Sequence, residues 1–170
     1  GKKLPPPKND TQTEAKAKRI ALPNQRVGEH NAKGELVSSR GLTLIEILGQ
    51  TSHYAPKMRR DALTSLQEML THYPILVTQY VATLVDRLSA RITDDESVVR
   101  EAMRSVLKTA FLPYIQGDML APFIHPFMLH LCSAMTHLNE SVRTDALLLL
   151  EILLDHTPPG SMRRYYTQIL

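Results

Sequence analysis

The chain has 170 residues, 43% of them apolar, enough to bury one good core but not to place every residue in it. A single cysteine rules out a disulfide within the chain and suits a reducing compartment. No apolar run approaches the ~18 residues of a membrane-spanning helix, and no secretory signal is present.

Charge divides the chain. Residues 1–40 carry nine Lys or Arg against four Asp or Glu, a net of +5, whereas residues 41–170 carry eleven against thirteen, a net of −2. The overall +3 therefore describes the leading segment rather than the folded part. In residues 1–41 apolar side chains are sparse and without period, so this stretch is expected to be an extended basic arm with no independent fold. Ile20, Leu22 and Val27 could dock it as a short strand-like segment. Lys2, Lys3, Lys8, Lys16, Lys18, Arg19 and Arg26 make the arm a candidate for contact with RNA or with an acidic protein surface. A solvated linker is the plain alternative.

From Leu42 the spacing turns helical, and residues 42–170 are read as an α-solenoid. Leu42, Leu44, Ile45, Ile47 and Leu48 predict a short first helix that ends near Gly49 to His53. A second runs from about Pro56, tolerated in a first turn, to His72. Pro74 breaks it, and a third follows with Ile75, Leu76, Tyr80, Val81, Leu84, Val85, Leu88 and Ile92 on its apolar positions. The acids Asp94-Asp95-Glu96 open a fourth, which reaches about Tyr114. A fifth, from about Leu120 to His137, carries Pro122 and Pro126 near its start. The sixth is Asn139 to Asp155, with Asn139 as its cap and Val142, Ala146, Leu147, Leu150, Leu153 and Leu154 as the expected apolar face. Pro158-Pro159-Gly160 stops it, and a seventh is predicted from Ser161. No segment alternates with period two, so no sheet is expected. The glycine start and the helix-like end at Tyr165-Tyr-Thr-Gln-Ile-Leu170 are read as those of a piece of a longer protein.

The second, fourth and sixth helices repeat one order of residue types. An acid followed by Ala falls at Asp61/Ala62, Glu101/Ala102 and Asp145/Ala146, spacings of 40 and 44 residues. That period, near the 40–47 residues of HEAT and armadillo units, predicts an all-α, HEAT/armadillo-like solenoid of about three helix pairs plus the start of a fourth. The repeats are placed at about 42–72, 75–114 and 120–156, with the next from 161. Ala62, Ala102 and Ala146 are expected at close helix contacts. Arg59, Arg60, Arg100, Arg104, Lys108 and Arg143 fall on these second helices, as either a binding stripe or a ladder of ion pairs with Asp61, Glu101 and Asp145. The ladder is favoured, since an acid lies one or two positions away at each level. Arg104 and Lys108 lack such a neighbour and are the candidates for touching a partner.

Nothing in the sequence points to catalysis, a metal or a cofactor. His125, His130 and His137 are separated by five and seven residues, whereas ligands on a helix need three or four to face one ion. No serine sits on a Gly-x-Ser-x-Gly elbow and no glycine run forms a phosphate cradle. Cys132, among Leu131, Ala134 and Met135, is expected to be a buried, inert thiol.

Several strings are more specific than the repeat itself. Arg40-Gly-Leu-Thr-Leu-Ile-Glu-Ile-Leu48, His53-Tyr54, Met58-Arg59-Arg60-Asp61-Ala62-Leu63, Cys132-Ser-Ala-Met-Thr-His137 and Val142-Arg143-Thr-Asp145-Ala146-Leu147 are similar to the N-terminal domain of a pre-rRNA-processing family. That family includes fungal Ipi-one and animal testis-expressed protein ten. Lys16-Ala-Lys18-Arg19-Ile20-Ala-Leu22-Pro23 resembles its basic lead-in, and the resemblance covers about residues 10–157. It implies a non-enzymatic scaffold subunit of a nuclear and nucleolar complex that acts on large-ribosomal-subunit precursors. The partners it implies are a second helical-repeat subunit, a β-propeller subunit, a midasin-type AAA ATPase and the pre-ribosomal particle, with the arm reaching rRNA or a sister subunit. The other reading of the repeats is a generic adaptor, either a nuclear transport receptor or a regulatory subunit of a phosphatase or kinase.

Overall fold

In a computed structural model, residues 34–115 and 119–157, with Gly1 and His30, are described. The arm's basic residues from Lys2 to Arg26 and the helix expected from Ser161 lie outside them. Among the described residues seven α-helices carry the fold: α1 Leu44–Gln50, α2 Pro56–His72, α3 Ile75–Gln79, α4 Val81–Ser89, α5 Ser97–Val106, α6 Ile124–Met135 and α7 Glu140–His156. In chain order they make three successive pairs, α1 with α2, α3–α4 with α5, and α6 with α7. The second members stack α2 on α5 on α7, while α4 packs on α6. This is an α-solenoid, and the described residues contain no strand, only isolated bridges at His30–Leu36 and Val37–Thr43.

Local chemistry sets the boundaries. At α1 the Thr43 hydroxyl accepts from the Glu46 amide while Glu46 Oε2 accepts from the Thr43 amide at 2.8 Å, so two free donors of the first turn are closed reciprocally. Pro56 begins α2, where its missing N–H costs nothing. Asn139 Oδ1 takes the Ser141 amide at 2.9 Å, the cap expected for α7.

Two helices depart from the sequence reading. The third is split at Tyr80, whose φ and ψ of −118° and 21° are not helical. Ile75, Val77, Thr78 and Val81 are β-branched and weak helix formers, and the Thr78 hydroxyl competes for the Ile75 carbonyl at 2.9 Å. The fourth is α-helical only to Val106. It widens into a π-turn over Leu107–Phe111 and tightens into a 3₁₀ turn at Leu112–Tyr114, because Pro113 has no N–H to continue the ladder.

One core runs through all three pairs. Leu63, Leu66 and Leu70 of α2, Leu84 and Leu88 of α4, and Met103 with Leu107 are buried in it, as are Leu131 of α6 and Val142 and Leu153 of α7. Phe111 meets Phe127 edge-to-face at 6.2 Å between ring centres, joining the second and third pairs. The buried face of α7 is Val142, Ala146, Leu149 and Leu153; Val142, Ala146 and Leu153 match the expected face, whereas Leu149 takes the place of Leu147, Leu150 and Leu154. Leu147 and Leu154 are 57% and 49% exposed. With four leucines in a row, the apolar arc is wide enough to be read in more than one rotation.

Ahead of α1 the chain is not free. Gly41, at φ +74°, gives its amide to the Ser38 carbonyl at 2.8 Å in a turn that a β-carbon would strain. Val37 is buried and Ser39 Oγ donates to Glu68 Oε2 at 2.8 Å, which pins the lead-in to α2.

Candidate interaction surface

The turn between the two helices of each pair is built the same way three times. A side chain at its start accepts the amide two residues on. His53 Nδ1 takes Ala55 N–H at 3.1 Å, Asp94 Oδ1 takes Glu96 N–H at 3.2 Å, and His137 Nδ1 takes Asn139 N–H at 3.1 Å. An arginine six residues after that side chain then closes the turn. Arg59 Nη1 donates to the carbonyls of His53 and Tyr54, both at 2.9 Å. Arg100 Nη1 donates to those of Asp94 and Asp95 at 2.6 and 3.0 Å, and Arg143 Nη1 to those of His137 and Leu138 at 2.7 and 2.9 Å. A turn leaves carbonyls without partners, and a guanidinium offers donors in a fork that reaches two of them.

The first two arginines also reach the next repeat. Arg59 holds Asp94 through Nε and Nη2, both at 2.8 Å, and Arg91 also binds that carboxylate at 3.1 Å. The bond to Asp94 raises the Arg59 pKa above its ordinary value; burial opposes it, and the charges of Asp94, Glu96 and Asp95 add to it. Arg100, only 1% exposed, donates Nε to Asp145 Oδ2 at 2.6 Å and Nη2 to Ser141 Oγ at 2.6 Å. Gln67 of α2 completes the seam between the first two repeats, accepting from Ser105 at 3.0 Å and donating to Thr109 at 2.9 Å.

The acids singled out from sequence take different parts. Asp145 is the inter-repeat partner of Arg100. Asp61 stays within its own repeat, bound to Arg60 at 2.7 Å with Arg40 at 3.7 Å. The Arg60 bond lowers the Asp61 carboxyl below its ordinary value; burial opposes it, and the charges of Arg60, Arg40 and Lys57 support it. Glu101 is exposed and has no ion pair among the described residues. Asp94, not Glu101, supplies the carboxylate to the first seam.

The expectation that Arg104 lacks an acidic neighbour is corrected. Its Nη1 lies 3.0 Å from Asp145 Oδ1, as a charge contact without hydrogen-bond alignment, and its side chain is largely covered. Lys108, on the π-turn, is exposed and without an ion pair among the described residues. Ala62 and Ala146 are buried, but Ala102 is only half-buried and Met103 occupies the core position. The repeats therefore align on Arg59, Arg100 and Arg143, spaced by 41 and 43 residues, rather than on the acid–Ala pairs. The signal that reads this register is His or Asp followed six residues later by Arg.

Cys132 is half-buried rather than buried, and among the described residues no group of three His, Cys, Asp or Glu side chains is placed to hold a metal ion. The surface offers recesses instead. A polar cleft of about 380 Å³ lies beside Tyr54, Arg91, Thr93 and Asp95 at the first seam. A groove of about 320 Å³ lies between α2 and α5, lined by Arg60, Thr64, Gln67, Val98, Glu101 and Ser105. Both suit side chains of a macromolecular partner better than a small molecule, because they are open and shallow.

Known proteins of similar sequence bear on the readings of this scaffold. Residues 118–170 match the model of a family described as a Rix1 complex component involved in 60S ribosome maturation. Over 170 residues, all of this chain, it is 31% identical to the testis-expressed protein 10 homolog of Danio rerio and 27% identical to the pre-rRNA-processing protein IPI1 of Meyerozyma guilliermondii. It is 31% identical over 157 residues to the pre-rRNA-processing protein ipi1 of Schizosaccharomyces pombe. By sequence the chain is similar to proteins named for pre-rRNA processing. It spans 18%, 47% and 37% of the length of these three relatives, so the homology concerns one part of each. A chain solved in the Rix1-Rea1 pre-60S particle superposes with a TM-score of 0.67 at 21% identity, over 99% of this chain and 66% of its own length. That likeness shows the same solenoid fold in both chains.

Proposed function

We propose that the chain is a non-enzymatic scaffold segment of a nuclear complex that assembles the large ribosomal subunit. The observation that carries this is similarity along the whole chain to several proteins named for pre-rRNA processing, with a match of residues 118–170 to a family described as involved in 60S ribosome maturation. The geometry is consistent with a scaffold: its buried charges hold repeats together, and its open recesses are lined by polar side chains. In this reading the solenoid holds a second helical-repeat subunit and a β-propeller subunit, and helps bring a midasin-type AAA ATPase to the pre-ribosomal particle. The basic arm reaches rRNA.

The test is purification of the tagged full-length protein from nuclear extract, followed by identification of what comes with it. Large-subunit precursor proteins and spacer-containing pre-rRNA are expected, and depletion of the protein should lengthen the life of that precursor. Recovery of transport cargo or a phosphatase catalytic subunit, with pre-rRNA levels unchanged, would sink the proposal.

A further inference from the structure

The turn arginines make positions in the three second helices strictly comparable. Counting from Arg59, Arg100 and Arg143, the residues four, seven and eleven positions later are Leu63, Leu66 and Leu70 in α2. In α5 and the turn that continues it they are Arg104, Leu107 and Phe111, and in α7 they are Leu147, Leu150 and Leu154. All three in α2 are 0% exposed, as are Leu107 and Phe111, while Arg104 is held on Asp145. Arg104 meets Asp145 and Phe111 meets Phe127 of the following repeat, and Gln67, next to Leu66, binds Ser105 and Thr109 there. On α7 the same row is open: Leu147 is 57% exposed, Leu154 is 49% exposed and Leu150 is partly covered.

The arginine points the same way by a separate route. In the first two repeats Nε and Nη2 reach across the seam, from Arg59 to Asp94 and from Arg100 to Asp145 and Ser141. Arg143 uses Nη1 for its turn, and its other two nitrogens have no partner among the described residues. An apolar row and an unused guanidinium edge thus lie on one side of α7, the side by which α2 holds α5 and α5 holds α7. Removing leucine side chains from water is favourable in proportion to the area covered, so this row favours a cover.

We propose that Leu147, Leu150, Leu154 and Arg143 form the seam for a further helix pair from the same polypeptide, which brings an acceptor to Arg143. The occupant is argued from continuity, because each earlier seam is filled by the pair that comes next in the chain. The sequence after α7 also supplies Met162, Tyr165, Tyr166, Ile169 and Leu170 at the spacing of one helical face. The two acids that bind turn arginines come 35 and 45 residues after them, so a carboxylate is expected within a similar distance beyond Arg143.

The test is thiol labelling of the full-length protein bearing Leu154→Cys, with Leu147→Cys as a second variant should the first lose helical circular dichroism. Labelling is read peptide by peptide, so that Cys132 is counted separately. Seam burial predicts labelling at least about ten-fold slower than in the urea-unfolded chain, at every protein concentration. Leu138→Cys, at a turn tip that is 98% exposed, should label at the unfolded rate in the same protein. Labelling of the Leu154→Cys thiol at that rate would overturn the proposal. Protection that disappears on dilution would also overturn it, because a second copy or another protein would then be the cover.

Discussion

Arg100 Nε lies 2.6 Å from Asp145 Oδ2, across 45 residues of sequence, with the guanidinium 1% exposed. One side chain joins its own turn to the next repeat, so its loss opens a turn and a seam together. Arg100→Ala should cost about 3–5 kcal/mol, because Asp145 is left facing Arg104 alone and two turn carbonyls lose their donor. Arg100→Lys should recover little of this, since one ammonium cannot span the fork. Urea unfolding of both variants checks the claim; a loss below about 1 kcal/mol for Arg100→Ala would show the bridge to be incidental.

A double-mutant cycle on Arg59 and Asp94 tests the first seam. The pair is bidentate and largely buried, so Arg59→Ala and Asp94→Ala should be coupled by more than about 1 kcal/mol. Additive losses would mean that Arg91 replaces Arg59 on the carboxylate.

The register set by the arginines separates two alanines that look alike in sequence. Ala146→Leu should overpack a buried contact and cost about 1–3 kcal/mol, whereas Ala102→Leu, half-buried, should cost less than about 0.5 kcal/mol. Equal losses from melting curves would restore the alignment on acid–Ala pairs.

Acid should weaken the first repeat through Asp61. Its carboxyl pKa is lower in the folded chain than the ordinary 3.8, so it adds stability above that value and loses it as pH falls through the folded pKa. Arg60 and Arg40 are about half exposed, which keeps the gain well under about 1 kcal/mol. Stability measured from pH 5 to pH 2 should therefore fall slightly less steeply in Asp61→Asn than in the parent; an identical slope refutes the coupling.

If the arm binds rRNA, replacing Lys16, Lys18 and Arg19 together by Ala in the full chain should weaken association with pre-ribosomes. It should also flatten the dependence on salt, by about one unit of log–log slope for each phosphate that is no longer neutralised. Binding that is unchanged at both low and high salt would leave protein anchoring as the arm's role.

The limits of α2 and the cap of α7 were legible because each is encoded locally, by Pro56, Pro74 and Asn139. The repeat was legible too, but its register was not. Acid–Ala pairs repeat by composition, whereas the turn needs a side chain and an arginine six residues apart, a relation that pairs His with Asp and so hides from a search by residue type. The break at Tyr80 was hidden by an apolar pattern that continues through it. Arg104 was read as free because its acid comes from the next repeat, 41 residues away in sequence.

Closure of the turn by backbone carbonyls and a distant arginine leaves one side chain in each repeat outside the closure. Tyr54, Asp95 and Leu138 all stand at that position, exposed, and share neither charge nor shape. Their side chains do not form the carbonyl closure, although the Tyr54 ring lies 4.3 Å from that of His53 and the Asp95 charge acts on Arg59. Along the edge of the solenoid one repeated backbone frame thus presents three chemically different side chains, so neighbouring repeats that fold alike show a partner different faces.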